Sequence, residues 1–159
     1  MIFRQALPQE IDLIFIEGYK EWSKNRTFEQ YRSDNAKEHA YGTRYVIDVN
    51  NEIVCSLILL KLKDIIGKRV YGIGSVLTPK SHAGKGYAKE LLKNCIKEKE
   101  DTFIFLFSDI NPKFYEKFSF RILPSKFQKY EKSICMVYCN DDSWNELLNC
   151  SIDSLPDYF

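Results

Sequence analysis

Apolar residues recur along this chain at more than one period. Ile2 to Leu7 reads as a strand; Pro8 then falls where a helix accepts a proline, and Ile11, Ile14, Phe15 and Tyr19 follow at helical spacing. A second helix is predicted over Thr27 to Ala40, with Thr27 as its N-cap and Phe28 and Tyr31 on one side of an otherwise polar surface. From Thr43 the period changes. Tyr45 to Val49, Ile53 to Leu62 and Val70 to Thr78 read as strands separated by turns at Asn50-Asn51 and Gly67-Lys68. Connections this short cannot support a parallel crossover, so an antiparallel meander is predicted.

Helical spacing returns beyond Pro79. Gly84 to Glu100 sets Tyr87, Leu91, Leu92, Cys95 and Ile96 on one stripe, with lysines and glutamates opposite. Thr102 to Phe107 is almost wholly apolar, as a strand buried on both faces would be, and Pro112 to Phe118 reads as a short helix. The helix between these strands permits parallel pairing there. Phe120 to Tyr130 and Ser133 to Cys139 read as the last strands, and Asp141-Asp142-Ser143 as capping residues for a helix holding Trp144, Leu147 and Leu148. The order β-α-α-β-β-β-α-β-α-β-β-α predicts an α/β sandwich with a mixed sheet.

Composition narrows this picture. At 159 residues the chain fits one domain, residues 1–159, with no repeat, linker or low-complexity tract. That size buries roughly 70% of the unfolded surface, so the core needs no disulfide or metal. The 23 Lys and Arg against 22 acidic residues give a net charge of +1, which offers no global attraction to nucleic acid or acidic membranes. Residues Met1 to Glu10 lack the apolar run of a secretory signal, and no stretch approaches membrane-spanning length, so a cytoplasmic protein is expected. Cys55, Cys95, Cys135, Cys139 and Cys150 lack the paired short spacings of zinc sites; they are read as reduced thiols, and no metal is expected.

The segment richest in chemistry is Val76-Leu77-Thr78-Pro79-Lys80-Ser81-His82-Ala83-Gly84-Lys85-Gly86-Tyr87-Ala88, a strand end, a glycine-rich loop and a helix start. Loop and first-turn N–H groups have no helical partner, point outward together and are reinforced by the helix dipole, so such a junction binds anions. Gly84 and Gly86 let a phosphate approach the backbone, and Lys85 adds a cation. A nucleoside-triphosphate loop would need Lys followed by Ser or Thr after its second glycine, where this chain has Tyr87. Gly72-x-Gly74 begins a dinucleotide fingerprint, but Leu77 occupies its third glycine position and no helix opens there.

These residues resemble the GNAT superfamily, whose pyrophosphate loop reads Gln/Arg-x-x-Gly-x-Gly/Ala between the fourth strand and third helix. Gly86 and Ala88 match its small positions, while Ala83 stands where the family has Gln or Arg. Phe114-Tyr115-Glu116-Lys117-Phe118-Ser119-Phe120 resembles the family's Phe-Tyr-x-x-x-Gly-Phe motif, with Ser119 in place of glycine. The resemblance implies a three-layer sandwich around a central mixed, mostly antiparallel sheet, with residues from about 141 to 159 outside the core pattern. It implies an acyltransferase that moves the acetyl group of acetyl-CoA to a small-molecule or peptide amine. The implied cofactor-binding set is Val76, Leu77, Thr78, Ala83, Gly84, Lys85, Gly86, Tyr87, Ala88 and Ser108, with no metal. Tyr115 is implied as the general acid for the departing thiolate; a phenol with a reference pKa near 10 keeps its proton at neutral pH.

Several readings stand beside these. Tyr115 also suits an aromatic cluster with Phe114, Phe118 and Phe120, and Tyr41, Tyr45 and Tyr71 suit either an acceptor pocket or the core. No carboxylate lies between Val70 and Thr78, so Glu17, Glu21, Glu38 and Asp48 are base candidates only by chain region; His39 and His82 are open, with His82 expected to flank the loop. A catalytically silent acyl-CoA-binding sensor or regulatory protein is the alternative that Ala83 and Ser119 suggest. Lys61, Lys63, Lys68 and Arg69 cluster near one hairpin, but without a recognised motif no nucleic-acid partner is expected, nor a membrane one. Monomer and homodimer both stay open.

Overall fold

The computed structural model describes residues 1–97 and 99–159. Two pairs of consecutive left-handed residues set its hairpins. Asn50 and Asn51 at φ 54° and 65° join β2 (Gly42–Val49) to β3 (Glu52–Ile65), and Ile66 and Gly67 at φ 47° and 74° join β3 to β4 (Lys68–Leu77). Two-residue turns of this hand match the twist of the flanking strands. The second turn therefore sits one residue earlier than Gly67-Lys68, and Lys68 belongs to the strand. With β1 (Ile2–Gln5), β5 (Phe103–Ser108), β6 (Arg121–Ile122) and β7 (Ile134–Tyr138), these strands make a seven-stranded mixed sheet in the order β1-β2-β3-β4-β5-β7-β6.

The chain forms two compact units. The first comprises Met1–Leu60 and Ser75–Cys95. In it β1 pairs antiparallel with β2, and β2 with β3 from Gly42–Leu60 to Val49–Glu52. Helix α1 (Ile11–Trp22) buries Ile14, Phe15 and Gly18, and a Cβ added at Gly18 would stand 2.4 Å from the Tyr31 hydroxyl of α2 (Phe28–Ala36). Glycine is required there by the close approach of the two helices. Thr27 caps α2 by accepting the Gln30 N–H at 3.2 Å; the predicted helix to Ala40 finishes as a tighter 3-10 turn over Lys37–Ala40. Arg4 bridges Glu10 and Asp48, both at 2.7 Å, so one guanidinium joins β1 and β2 to the chain entering α1. Helix α3 (Tyr87–Ile96) buries Leu91, Leu92 and Cys95. It starts later than Gly84 because Gly84 and Gly86 take left-handed φ of 76° and 83°. The predicted end of this helix beyond Ile96 crosses residue 98, which lies outside the described residues.

The second unit comprises Lys61–Gly74 and Ile96–Phe159. Strand β5 pairs parallel with β4 from Val70–Phe103 to Gly72–Phe105, and antiparallel with β7. Its Phe103, Phe105 and neighbours pack with Leu123, Phe127, Val137 and Leu147 into the unit's core. The strand expected over Phe120 to Tyr130 shrinks to Arg121–Ile122. Pro124 has no N–H to give a ladder, and Ser125–Phe127 turn as a 3-10 helix. The Gln128 side chain takes over the missing pairing: Nε2 donates to the Leu123 and Cys135 carbonyls at 2.9 and 3.0 Å, and Oε1 accepts the Cys135 N–H at 2.8 Å. Helix α5 (Asp141–Leu148) is capped by Asn140, whose side chain accepts the Ser143 N–H, so Asp141 and Asp142 lie in its first turn and Ser143 is buried.

Gln128→Ala strips the buried Cys135 N–H and the Leu123 carbonyl of this partner at once, while the Cys135 carbonyl keeps the Leu123 N–H at 3.2 Å. Leaving such groups unsatisfied is expected to lower stability by about 2 kcal/mol, read as a lower urea midpoint at an unchanged slope.

Candidate acyl-CoA site

The candidate phosphate loop is built by the end of β4 and the start of α3. Ser75 holds φ 49° within the strand, a left-handed residue that breaks the regular extended run just before Val76, Leu77 and Thr78. Leu77 is buried; Val76 and Thr78 are half-buried. A 3-10 turn over Lys80–His82 follows, then Ala83 at φ −60° and ψ 150°, exposed. Gly84, Lys85 and Gly86 are exposed, and a Cβ built on either glycine meets no atom within 4 Å. Their conformation calls for glycine, and the space above them is open. The first helical bond of α3 runs from the Glu90 N–H to the Gly86 carbonyl at 3.1 Å. The N–H groups of Tyr87, Ala88 and Lys89 thus precede any intrahelical acceptor and stand at the positive end of the dipole. Open backbone donors, a dipole and the Lys85 cation are the donor set a pyrophosphate requires, so these residues fit a pyrophosphate-bearing ligand such as CoA.

Beside the loop, the first unit holds a cavity of about 360 Å³, with Leu13, Ile14, Ile53 and Leu77 among its apolar walls and Glu17 and His82 among its polar ones. His82 Nε2 lies 3.0 Å from Glu52 Oε1, and the His82 ring meets Tyr87 at 6.3 Å between centroids. Cys55 Sγ lies 3.1 Å from Thr78 Oγ1, tying the strand end to the cavity floor. Burial pushes the Cys55 thiol up to about 11, which keeps it protonated and unreactive at neutral pH. All five cysteines are free thiols. The contacts of Glu52 and Cys55 escaped the sequence reading, although the antiparallel register, which sets the start of β3 against the end of β4, was available to suggest them.

The candidate bases are largely taken up elsewhere. Glu38 pairs with buried Arg44 at 3.1 Å, and burial holds its carboxyl above the usual range. His39 lies 3.1 Å from the same guanidinium and stacks on Phe15, and burial lowers its pKa. Asp48 holds Arg4 and the Asn51 N–H; Glu17 pairs with Lys20 and alone of the four carboxylates lines the cavity; Glu21 is exposed. Tyr41 is exposed, Tyr45 stacks on Phe3 at 5.2 Å, and Tyr71 lies under the Lys99 ammonium at 5.4 Å. Lys61, Lys63 and Arg69 are exposed, while Lys68 is held by Asp101 and Ser143, both at 2.7 Å. Among the described residues, no group of three or more His, Cys, Asp or Glu is placed to hold a metal, and no helix is long and apolar enough to cross a membrane.

In the second unit, Ser108 closes β5, buried, with its hydroxyl donating to the Ile110 carbonyl at 2.8 Å. Tyr115 lies in α4 (Lys113–Glu116), buried, its ring 5.0 Å from Phe114 and 6.2 Å from Phe120. The aromatic cluster foreseen for it exists. Ser119 sits at φ 66°, which explains why the related motif carries glycine at this position.

The sequence matches the model of the acetyltransferase (GNAT) family over residues 8–120, and the chain belongs to that family. No curated protein matches it by sequence. Among solved structures it resembles an Escherichia coli GNAT family N-acetyltransferase in complex with CoA, at 13% identity and TM-score 0.67, over 86% of this chain and 79% of that one. It also resembles an aminoglycoside 6'-N-acetyltransferase complexed with coenzyme A, at 11% identity and TM-score 0.66, over 86% and 94% of the two chains. A third similar structure is a GNAT family acetyltransferase of Staphylococcus aureus, at 18% identity and TM-score 0.63, over 85% and 96%.

Left-handed positions make a paired test of the loop and the motif. Gly86→Ala is expected to lose about 1 kcal/mol of stability although the new methyl meets nothing, and Ser119→Gly to gain about 0.5 kcal/mol, part of its relief being offset by a freer unfolded chain. Urea denaturation of both variants checks the opposite signs.

Proposed function

We propose that the chain is an acetyl-CoA-dependent N-acetyltransferase acting on a small-molecule or peptide amine. The observation that carries this is the open, left-handed Gly84–Gly86 loop feeding the N-terminus of α3 in a member of the acetyltransferase (GNAT) family. Acetyl-CoA supplies an acetyl group activated as a thioester. Backbone N–H groups from Gly84 to Ala88, with the Lys85 ammonium, hold its pyrophosphate; the half-extended segment Val76, Leu77 and Thr78 offers backbone groups to the pantetheine amides, and Ser108 belongs to the same binding set. The acceptor amine attacks the thioester carbonyl directly, forming the amide C–N bond as the C–S bond breaks. Tyr115 gives its phenolic proton to the departing sulfur, and the amine's surplus proton leaves to water or to a neighbouring base. Most of the acceleration comes from holding the reactants in line.

A second reading, a catalytically silent acyl-CoA-binding protein, is favoured by Ala83, which brings no long polar side chain to the loop, and by the engagement of Glu38 and Asp48 in structural pairs. Turnover separates the two. With a panel of amines and acetyl-CoA, the enzyme releases free thiol over time, whereas the silent protein binds CoA saturably and releases none.

Given turnover, Tyr115→Phe keeps the ring and removes the proton donor. It is expected to lower turnover roughly 10²-fold while leaving CoA affinity within about twofold. A loss smaller than about threefold across the pH range assigns the acid role to another group or to water.

A further inference from the structure

The Gly72-x-Gly74 pair, which fits no nucleotide fingerprint, has an explanation at its first position. A Cβ added at Gly72 would lie 2.6 Å from the Phe159 ring, so the missing side chain is the seat of that ring. Phe159 belongs to a larger cluster. The Phe107 ring lies 5.2 Å from Phe159, 5.2 Å from Tyr158 and 5.5 Å from Tyr130, and the two tyrosines lie 5.8 Å apart. The Tyr158 N–H donates to the Tyr130 hydroxyl at 3.0 Å, which fixes the segment against the unit. The Tyr158 hydroxyl donates to Asp109 Oδ2 at 3.3 Å, and the Ser133 hydroxyl donates to Asp109 Oδ1.

Core packing does not account for all of this. Tyr130 and Tyr158 remain 36% and 43% exposed, and Asp109 is exposed as well. Lys129 is occupied by Asp157 at 3.1 Å and the Leu155 carbonyl at 2.8 Å. Ring faces carry negative charge density, and a carboxylate held by two hydroxyls adds a full charge beside them. Together they suit an alkylammonium, whose charge is spread over apolar C–H surface.

We propose that Phe107, Tyr130, Tyr158 and Phe159, with the Asp109 carboxylate, form a binding site for the ammonium group of an amine ligand; that this ligand is the acceptor rests on the transferase reading above. Gly72 and Phe159 then position the wall, while Tyr130, Tyr158 and Asp109 touch the ligand.

The probe is tetramethylammonium chloride, which has the charge and the methyl surface but no N–H and cannot be acetylated. Titration of the full chain at constant ionic strength, followed by the proton resonance of the methyl groups, is expected to give a saturable upfield shift. Affinity is expected to fall at least about fivefold in Tyr158→Ala and in Asp109→Asn, the second keeping the size of the side chain. The neutral isostere 2,2-dimethylpropanol is expected to give no saturable shift. Circular dichroism establishes that each variant is folded; should Tyr158→Ala unfold, Asp109→Asn alone decides. No saturable shift, equal binding by the isostere, or unchanged affinity in folded Asp109→Asn overturns the site. Binding as described without acetylation of any amine leaves the site standing and removes the transferase reading. Acetylation without tetramethylammonium binding does the reverse.

Discussion

The candidate site depends on one backbone constraint: the chain leaves β4 and enters α3 through two left-handed glycines. An L-residue with a side chain is strained at φ near 80°, so Gly84 and Gly86 reach it where other residues would carry the helix further back. Had the helix begun at Gly84, as its apolar stripe allows, the first-turn N–H groups would sit three residues earlier and the loop would be lost. Delaying the helix to Tyr87 gathers unpaired donors at one end of a dipole and leaves the space above them empty. In the proposed transferase the main chain carries most of the recognition, which leaves less for a long polar side chain at position 83 to do.

Much of this was legible in the residues because the signals are local. Period changes, Thr27 as a cap, Asn50-Asn51 as a turn and the apolar run from Phe103 gave the element order that the structure has. Errors arose where tertiary contacts overrode local preference. Phe120 to Tyr130 has the composition of a strand, but Pro124 interrupts the ladder, and Gln128, outside β7, reaches Cys135 of that strand with hydrogen bonds that no periodicity encodes. The cap of α5 fell one residue earlier than expected because Asn140 is as good an acceptor as the aspartates that follow it.

The site divides in the same way. The glycine loop of its proposed phosphate-binding half is visible in sequence. The gathering of side chains around the cavity beside it is not: Glu17, His82 and Leu77 stand out singly in the sequence, but with Cys55 they come from separate elements that meet only in the folded unit. Nor did sequence anticipate that Phe159 would fill the place of a side chain on Gly72, a contact between residues 87 positions apart in the chain. Carboxylates that looked equivalent as base candidates are separated by their partners: Arg44 claims Glu38 and Arg4 claims Asp48.

The most direct test of the central claim is a calorimetric titration of the wild-type chain with CoA and with pantetheine, which shares the thiol arm but lacks the phosphates. If the Gly84–Gly86 loop and the N-terminus of α3 hold the pyrophosphate, CoA binds at least about tenfold more tightly than pantetheine, and that advantage shrinks as salt rises. Equal affinities for the two ligands, or no binding of CoA by folded protein at millimolar concentration, would contradict the account.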